Sequence, residues 1–255
     1  MKPNRGGVRW SDGRLLLVSC SGSEVGPIEA LIFDLGGTLD ADGTPWAERF
    51  RTILAEAGLP GLESGAVKAA LEAGERAVLR HPRAAELDLE EMVHLHVSAQ
   101  LECLGATGTG WMARLRDRFV SETAGTLAGR RGLLERLADR LPLAVVSNGC
   151  GNTRLLVEEA GLGDLFRVVV DSSEVGVWKP DPGILEPVLR ALGVPAAELA
   201  LVGDRVDRDA DAARAAGMRA IWVSGAAEPA ADDPRLARVD AVIASVEALA
   251  PDGPA

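Results

Sequence analysis

Six short runs of apolar and β-branched residues, at 30–33, 143–147, 168–171, 200–203, 220–223 and 241–243, punctuate this chain. None alternates apolar with polar residues, so each fits a strand covered on both faces. From Gly129 onward they are separated by segments of helical periodicity at 133–140 and around 152–160, 182–192 and 209–216. A strand that reaches its parallel neighbour through a helix builds a doubly wound α/β sheet, and that is the predicted fold class.

The long interval between the first and second runs holds no comparable strand. At 45–57, Trp46, Phe50, Ile53, Leu54 and Ala57 share one helical stripe, with Thr44 and Pro45 as start signals and Gly58 as the stop. Val67, Leu71 and Val78 mark a second helix. Asp88 followed by Glu91 reads as a capping box that opens a third, carrying Met92, Leu95 and Ala99. Trp111, Leu115 and Phe119 recur at four-residue spacing on a fourth. Residues 42–128 therefore read as an all-helical insert, entered after Asp40 and left through the small-residue stretch 124–129. The α/β core comprises 28–41 and 129–249, with 226–238 as a loop and 250–255 as a tail.

The 255 residues exceed one ordinary domain of roughly 150, and the insert accounts for the surplus. A net charge of −11, from 27 basic and 38 acidic residues, disfavours nucleic acid and anionic membranes, both of which need a basic face. Cys20, Cys103 and Cys150 form neither a C-x-x-C pair nor an even set, which predicts a reducing, cytoplasmic setting without disulfide or structural zinc. Residues 17–20 look like a lipoprotein cleavage box. Their apolar run, 15–18, is nevertheless shorter than the roughly 7–15 residues of a signal, and Asp12 and Arg14 interrupt it upstream. Residues 1–27 are accordingly expected to form a polar, mobile leader.

Ligands of open parallel sheets bind outside the carboxyl ends of the strands, so the polar residues there are the candidates. Asp34 follows the first run and precedes Gly36, Gly37 and Thr38, either a simple turn or a loop whose backbone amides approach an anion. Ser147 and Asn148 end the second run, as a helix cap or as a hydroxyl and amide for a phosphoryl oxygen. Lys179, one of only three lysines beside 24 arginines, is held in a stiff loop by Pro180 and Pro182 after the third run. Asp204, Asp207 and Asp209 cluster after the fourth. Several carboxylates beside Asp34 would repel one another unless a cation intervenes, and Mg²⁺, a hard ion with oxygen ligands, suits them.

In that order, 34–38, Ser147-Asn148, Lys179-Pro180-Asp181-Pro182 and 203–209 resemble the four motifs of the haloacid dehalogenase-like (HAD) hydrolases, over about 28–249. The insert sits where members with a helical C1-type cap carry it. The resemblance implies a Rossmann-like core and a phosphatase in which Asp34 is the nucleophile and Lys179 neutralises charge between it and the phosphate. It also implies Mg²⁺ held by Asp34, the Gly36 carbonyl, Asp204 and Asp209. Thr38, Ser147, Asn148 and Lys179 are the implied phosphate-binding residues. The implied partner is a small phosphorylated metabolite, handled by a monomer or homodimer.

One position departs from the family. Gly36 stands where its phosphatases carry a second Asp, which protonates the leaving oxygen and then activates water. Such acid–base help is worth about 10²–10⁴-fold, so its loss predicts slow turnover or a good leaving group. Asp40, Asp42, His81, His94 and His96 are the candidate replacements, and Gly36→Asp is expected to raise turnover. A non-catalytic binding module is the alternative. Phosphonate cleavage would need the cap lysine, Lys68, and dehalogenation would leave the acidic fourth motif unexplained.

Overall fold

The computed structural model describes residues 6–18, 23–59, 62–106 and 109–251. Its first elements correct the expected leader. Strands β1 (Gly7–Ser11), β2 (Arg14–Val18) and β3 (Glu24–Ile28) form an antiparallel sheet. Asp12 (φ 51°) and Gly13 (φ 76°) make the two-residue turn of the first hairpin. Both central residues have positive φ, as in the turns whose twist matches paired strands. Leu15, Leu17 and Ile28 point into the main core, and the Trp10 indole donates to the Leu249 carbonyl (2.9 Å). Residues 1–5 and 19–22, including Cys20 and half of the apparent cleavage box, lie outside the described residues.

The predicted parallel sheet is present. Strands β4 (Ala30–Phe33), β5 (Leu143–Ser147), β6 (Val168–Asp171), β7 (Leu199–Gly203), β8 (Arg219–Val223) and β9 (Ala241–Ile243) lie in the order β6-β5-β4-β7-β8-β9. Successive side chains enter opposite layers, Leu31, Phe33, Leu143 and Val145 one and Ala30, Ile32, Ala144 and Val146 the other. That double burial is why these strands read as continuous apolar runs. The sheet centre places the ends of β4, β5 and β7 side by side.

Four helices build the insert: α1 (Trp46–Ala57), α2 (Ser64–Leu79), α3 (Leu89–Cys103) and the first part of α4 (Thr109–Ala138). Gly58 ends α1 in the left-handed conformation, and Asp88 and Glu91 form the predicted capping box of α3. Phe50, Leu54, Val93, Val97, Leu115 and Phe119 share a core of their own.

The insert's exit departs from the sequence reading. No loop occurs at 124–129, because α4 runs unbroken for 30 residues, about 45 Å at 1.5 Å per residue. Leu115 and Phe119 pack in the cap, whereas Leu127, Leu134 and Leu137 pack in the α/β core. Ala124, Gly125, Ala128 and Gly129 lie on the exposed side of this helix, and none of them breaks it. The remaining helices, α5 (Thr153–Glu159), α6 (Ser172–Val175), α7 (Glu186–Leu192) and α8 (Asp211–Ala215), lie between the later strands. Within the expected loop, Pro234–Arg238 forms a 3₁₀ turn. Of the expected tail, Ala250 packs on the core and 252–255 lie outside the described residues.

Candidate active site

The site begins where β4 ends. The Asp34 N–H donates to the Val202 carbonyl (2.9 Å), so the sheet ladder itself holds the Asp34 backbone. Gly36 (φ −78°, ψ 112°) and Gly37 (φ 94°, ψ −18°) then turn the chain with type II geometry, whose second central residue needs positive φ. A Cβ on Gly37 would also stand 2.5 Å from Asp204 Oδ2. Gly36 has ordinary φ, and its constraint is different: a Cβ there would meet the Trp46 indole, with Nε1 at 3.3 Å.

Asp34, Asp204 and Asp209 bring carboxylate oxygens within 4.8 Å of one another, all three buried. Lys179, 3% exposed, donates to Asp34 Oδ1 (2.6 Å), Asp209 Oδ1 (2.7 Å) and the Val146 carbonyl (2.9 Å). Burial would lower its pKa, but Asp209 and Asp34 hold it above its ordinary value. Burial pushes Asp34 up to about 6, against the pull of Lys179 and with a push from Asp209. Burial, then Asp34 and Asp209, push Asp204 up to about 8. Three carboxylates thus share one ammonium, and Asp204 Oδ2 is buried without a hydrogen-bond partner. An all-oxygen, electron-rich cluster with an orphaned oxygen fits a hard divalent cation.

The expected phosphate-binding residues separate into different roles. Ser147 ends β5 at 8% exposure, and its hydroxyl has no hydrogen bond to another described residue. Asn148 is occupied: Nδ2 donates to the Lys179 carbonyl (3.0 Å) and Oδ1 accepts from the Lys179 N–H (2.8 Å). It clamps the lysine's backbone. Thr38 is fully buried, its hydroxyl 3.3 Å from both Asp34 Oδ2 and Asp204 Oδ1. The ammonium of Lys179 likewise has all three donors engaged within the protein. Asp209 accepts from the Arg205 N–H (2.9 Å), and the Trp222 indole donates to the Asp204 carbonyl (3.1 Å).

The candidate proton donors fare similarly. Asp40 accepts from the Gly37 N–H (2.6 Å), the Trp46 Nε1–H (2.6 Å) and Arg49 Nη1 (3.2 Å). Burial pushes its carboxyl up against the pull of Arg49, and burial pushes the Arg49 guanidinium down. Asp42 accepts from the Val246 N–H and pairs with Arg130. His96 is buried and stacked on Phe50 (4.4 Å between ring centroids), His94 is exposed, and His81 accepts from the Arg83 N–H. Lys68 is 79% exposed beside Glu72, an ordinary solvated helix residue.

Sequence reading missed the joint made by Asp40, Trp46 and Arg49. Its members lie within ten positions, but Trp46 already had a reason to be there, as part of an apolar helical stripe. A cavity of about 400 Å³ lies beside this joint, between cap and core, with Trp46, Leu89, Thr123, Leu127 and Leu156 in its wall. Asp34, Lys179 and Asp204 do not line it.

A family model for haloacid dehalogenase-like hydrolases matches residues 28–217, spanning the loop and all four strand ends. The chain belongs to the haloacid dehalogenase-like hydrolases. As a phosphatase-like HAD hydrolase, it is 30% identical to the plasmid phosphoglycolate phosphatase of Cupriavidus necator over 233 residues, 88% of this chain and 92% of that protein. It is 34% identical to the phosphoglycolate phosphatase of Rhodospirillum rubrum over 205 residues, covering 77% and 79% of the two. A phosphoserine phosphatase of Thermus thermophilus is 39% identical over 119 residues, 46% of this chain and 42% of that protein, so the likeness spans less than half of that relative. Among solved structures, the magnesium-bound HAD-hydrolase YfnB of Bacillus subtilis shares the fold with a TM-score of 0.54 at 21% identity, covering 87% of this chain and 96% of that one. Among the described residues of this HAD hydrolase, no helix is long and apolar enough to cross a membrane.

Proposed function

We propose that this HAD hydrolase is a cytoplasmic, Mg²⁺-dependent phosphatase of small phosphorylated metabolites, with Asp34 as the nucleophile. The carrying observation is the buried contact of Asp34 with Lys179 (2.6 Å) inside the Asp34, Asp204 and Asp209 cluster. Asp34, Asp204 with its orphaned Oδ2, Asp209 and the Gly36 carbonyl are the residues that would hold the ion. When bound, Mg²⁺ supplies positive charge to the oxygens of the transferring phosphoryl group.

The rest of the work belongs to the chain. Lys179 fixes the Asp34 carboxylate through Oδ1 and offsets its charge, so the nucleophile meets an anionic phosphate in a less repulsive field. Asn148 holds the Lys179 backbone in place, and Ser147, at the end of the neighbouring strand, offers a free hydroxyl to a phosphoryl oxygen. The helical insert is the source of substrate selection. Phosphate released from p-nitrophenyl phosphate, acetyl phosphate or a metabolite panel with Mg²⁺ tests the reading, and Asp34→Asn is expected to reduce it to background. Absence of release from every compound refutes it.

A further inference from the structure

We infer that Trp46 fills the space where a proton donor would stand beside Asp34, and that the enzyme is therefore selective for phosphates whose leaving group departs as a stable anion. Acyl phosphates are the substrate class this chemistry favours. The inference rests on the phosphatase reading above.

Space is the first observation. The three atoms nearest to a Cβ on Gly36 all belong to the Trp46 indole, at 3.3, 3.5 and 3.8 Å. A Cβ at 3.3 Å already requires the ring to give by a few tenths of an ångström, and the ring is held on two sides. Its N–H donates to Asp40 Oδ2 (2.6 Å), and it packs edge-on against Phe119 with 4.8 Å between centroids. An indole N–H donates a hydrogen bond but yields no proton near neutral pH.

Occupancy is the second. Asp40, the next carboxylate along the loop, is 2% exposed and accepts three hydrogen bonds, from Gly37, Trp46 and Arg49. Lys179 has its three N–H groups on Asp34, Asp209 and the Val146 carbonyl. Thr38 directs its hydroxyl at Asp34 and Asp204. Of the histidines, His96 lies inside the cap against Phe50 and Gln100. Asp42 accepts from the Val246 N–H and pairs with Arg130, so among the described residues no carboxylate of the 34–42 loop outside the proposed metal ligands is left to serve the leaving oxygen as an acid.

The chemistry then follows from the leaving group. An Asp34 oxygen bonds to phosphorus as the bond from phosphorus to the leaving oxygen breaks, and the bonding pair departs on that oxygen. A carboxylate or nitrophenolate is stable with that pair, whereas an alkoxide needs a proton, here only from water. In the second step water adds to phosphorus, its proton passes to solvent, and Asp34 leaves as the carboxylate with inorganic phosphate as product. Acid help is worth roughly 10²–10⁴-fold, and its absence falls on poor leaving groups.

The test compares kcat/KM for acetyl phosphate, p-nitrophenyl phosphate, phenyl phosphate and ethyl phosphate with Mg²⁺. The expected loss from acetyl to ethyl phosphate is at least about 10²-fold. Ethyl phosphate within tenfold of acetyl phosphate overturns the inference while leaving the phosphatase reading intact, and no turnover of any compound overturns both. Gly36→Asp alone is expected to leave the spread unchanged, because the indole holds the space, whereas Gly36→Asp with Trp46→Ala should narrow it at least tenfold. Narrowing by the single variant, or a folded double variant with the original spread, refutes the role given to Trp46. A double variant that fails to fold leaves the wild-type series to decide.

Discussion

Replacing Asp40 by Asn isolates the joint that ties the cap to the nucleophile loop. The carboxylate is 1% exposed and the Arg49 side chain 7%, so water cannot substitute for either partner. Asn is nearly the same size, and its single oxygen can still accept from the Gly37 N–H. Its amide NH₂ would then face two donors, the Trp46 indole and the Arg49 guanidinium. Arg49 keeps Thr123 (2.8 Å) and the Phe119 carbonyl (3.3 Å), but Glu122 at 3.9 Å is 44% exposed and a weak countercharge. Leaving one member of a buried pair uncompensated costs about 3–5 kcal/mol. For a protein of this size that lowers Tm by roughly 6–20 °C. Because burial pushes Asp40 up and Arg49 down, desolvation is a large part of the pair's balance, so Asp40→Asn with Arg49→Met should recover much of the loss. Urea unfolding of the four members of this cycle measures it. A loss below about 1 kcal/mol for Asp40→Asn, or a double variant no better than the single, would refute the account.

Three further outcomes are expected. His96 takes up a proton near 6.5 when unfolded but only near 4 in the cap, chiefly because burial disfavours the imidazolium. Its contribution is full above about pH 6.5 and is lost as pH falls toward 4, by about 3 kcal/mol in all. Urea titrations across that range should show the slope, and His96→Phe should flatten it. Mg²⁺ at a hundred times its Kd should raise the unfolding free energy by about 2.7 kcal/mol. Asp204→Asn should abolish that response, while melting no lower than metal-free wild type because it relieves carboxylate crowding. Leu17→Ala should cost about 2–5 kcal/mol, since Leu17 is fully buried in the main core. A change under about 0.5 kcal/mol, the size of an ordinary surface effect, would return β1 to β3 to the role of a leader.

What was legible follows from where each residue's constraint originates. The β4, β5, β6 and β9 runs were readable to the residue, because double burial imposes an apolar character that each segment displays by itself. The Asp88 and Glu91 box was readable because a cap satisfies amides three residues away. The hairpin at Asp12 and Gly13 carried a readable turn signal as well. The charged residues around it drew the segment into a leader, although Leu15 and Leu17 alternate as one face of a strand should.

The sequence by itself determined the parallel sheet, the helical insert and the polar residues at the strand ends, because periodicity and turn chemistry are local properties. Only the tertiary structure decided what those polar residues do. Asn148 became a clamp on Lys179, Thr38 a donor to the carboxylates, and Asp40 the acceptor that fixes Trp46. It also showed that Gly36 is glycine where an indole from the cap packs against the loop. A donor has a definite role only when its acceptor is in place, and the Lys179 carbonyl lies 31 residues from Asn148 and the Asp204 carboxylate 166 residues from Thr38 along the chain.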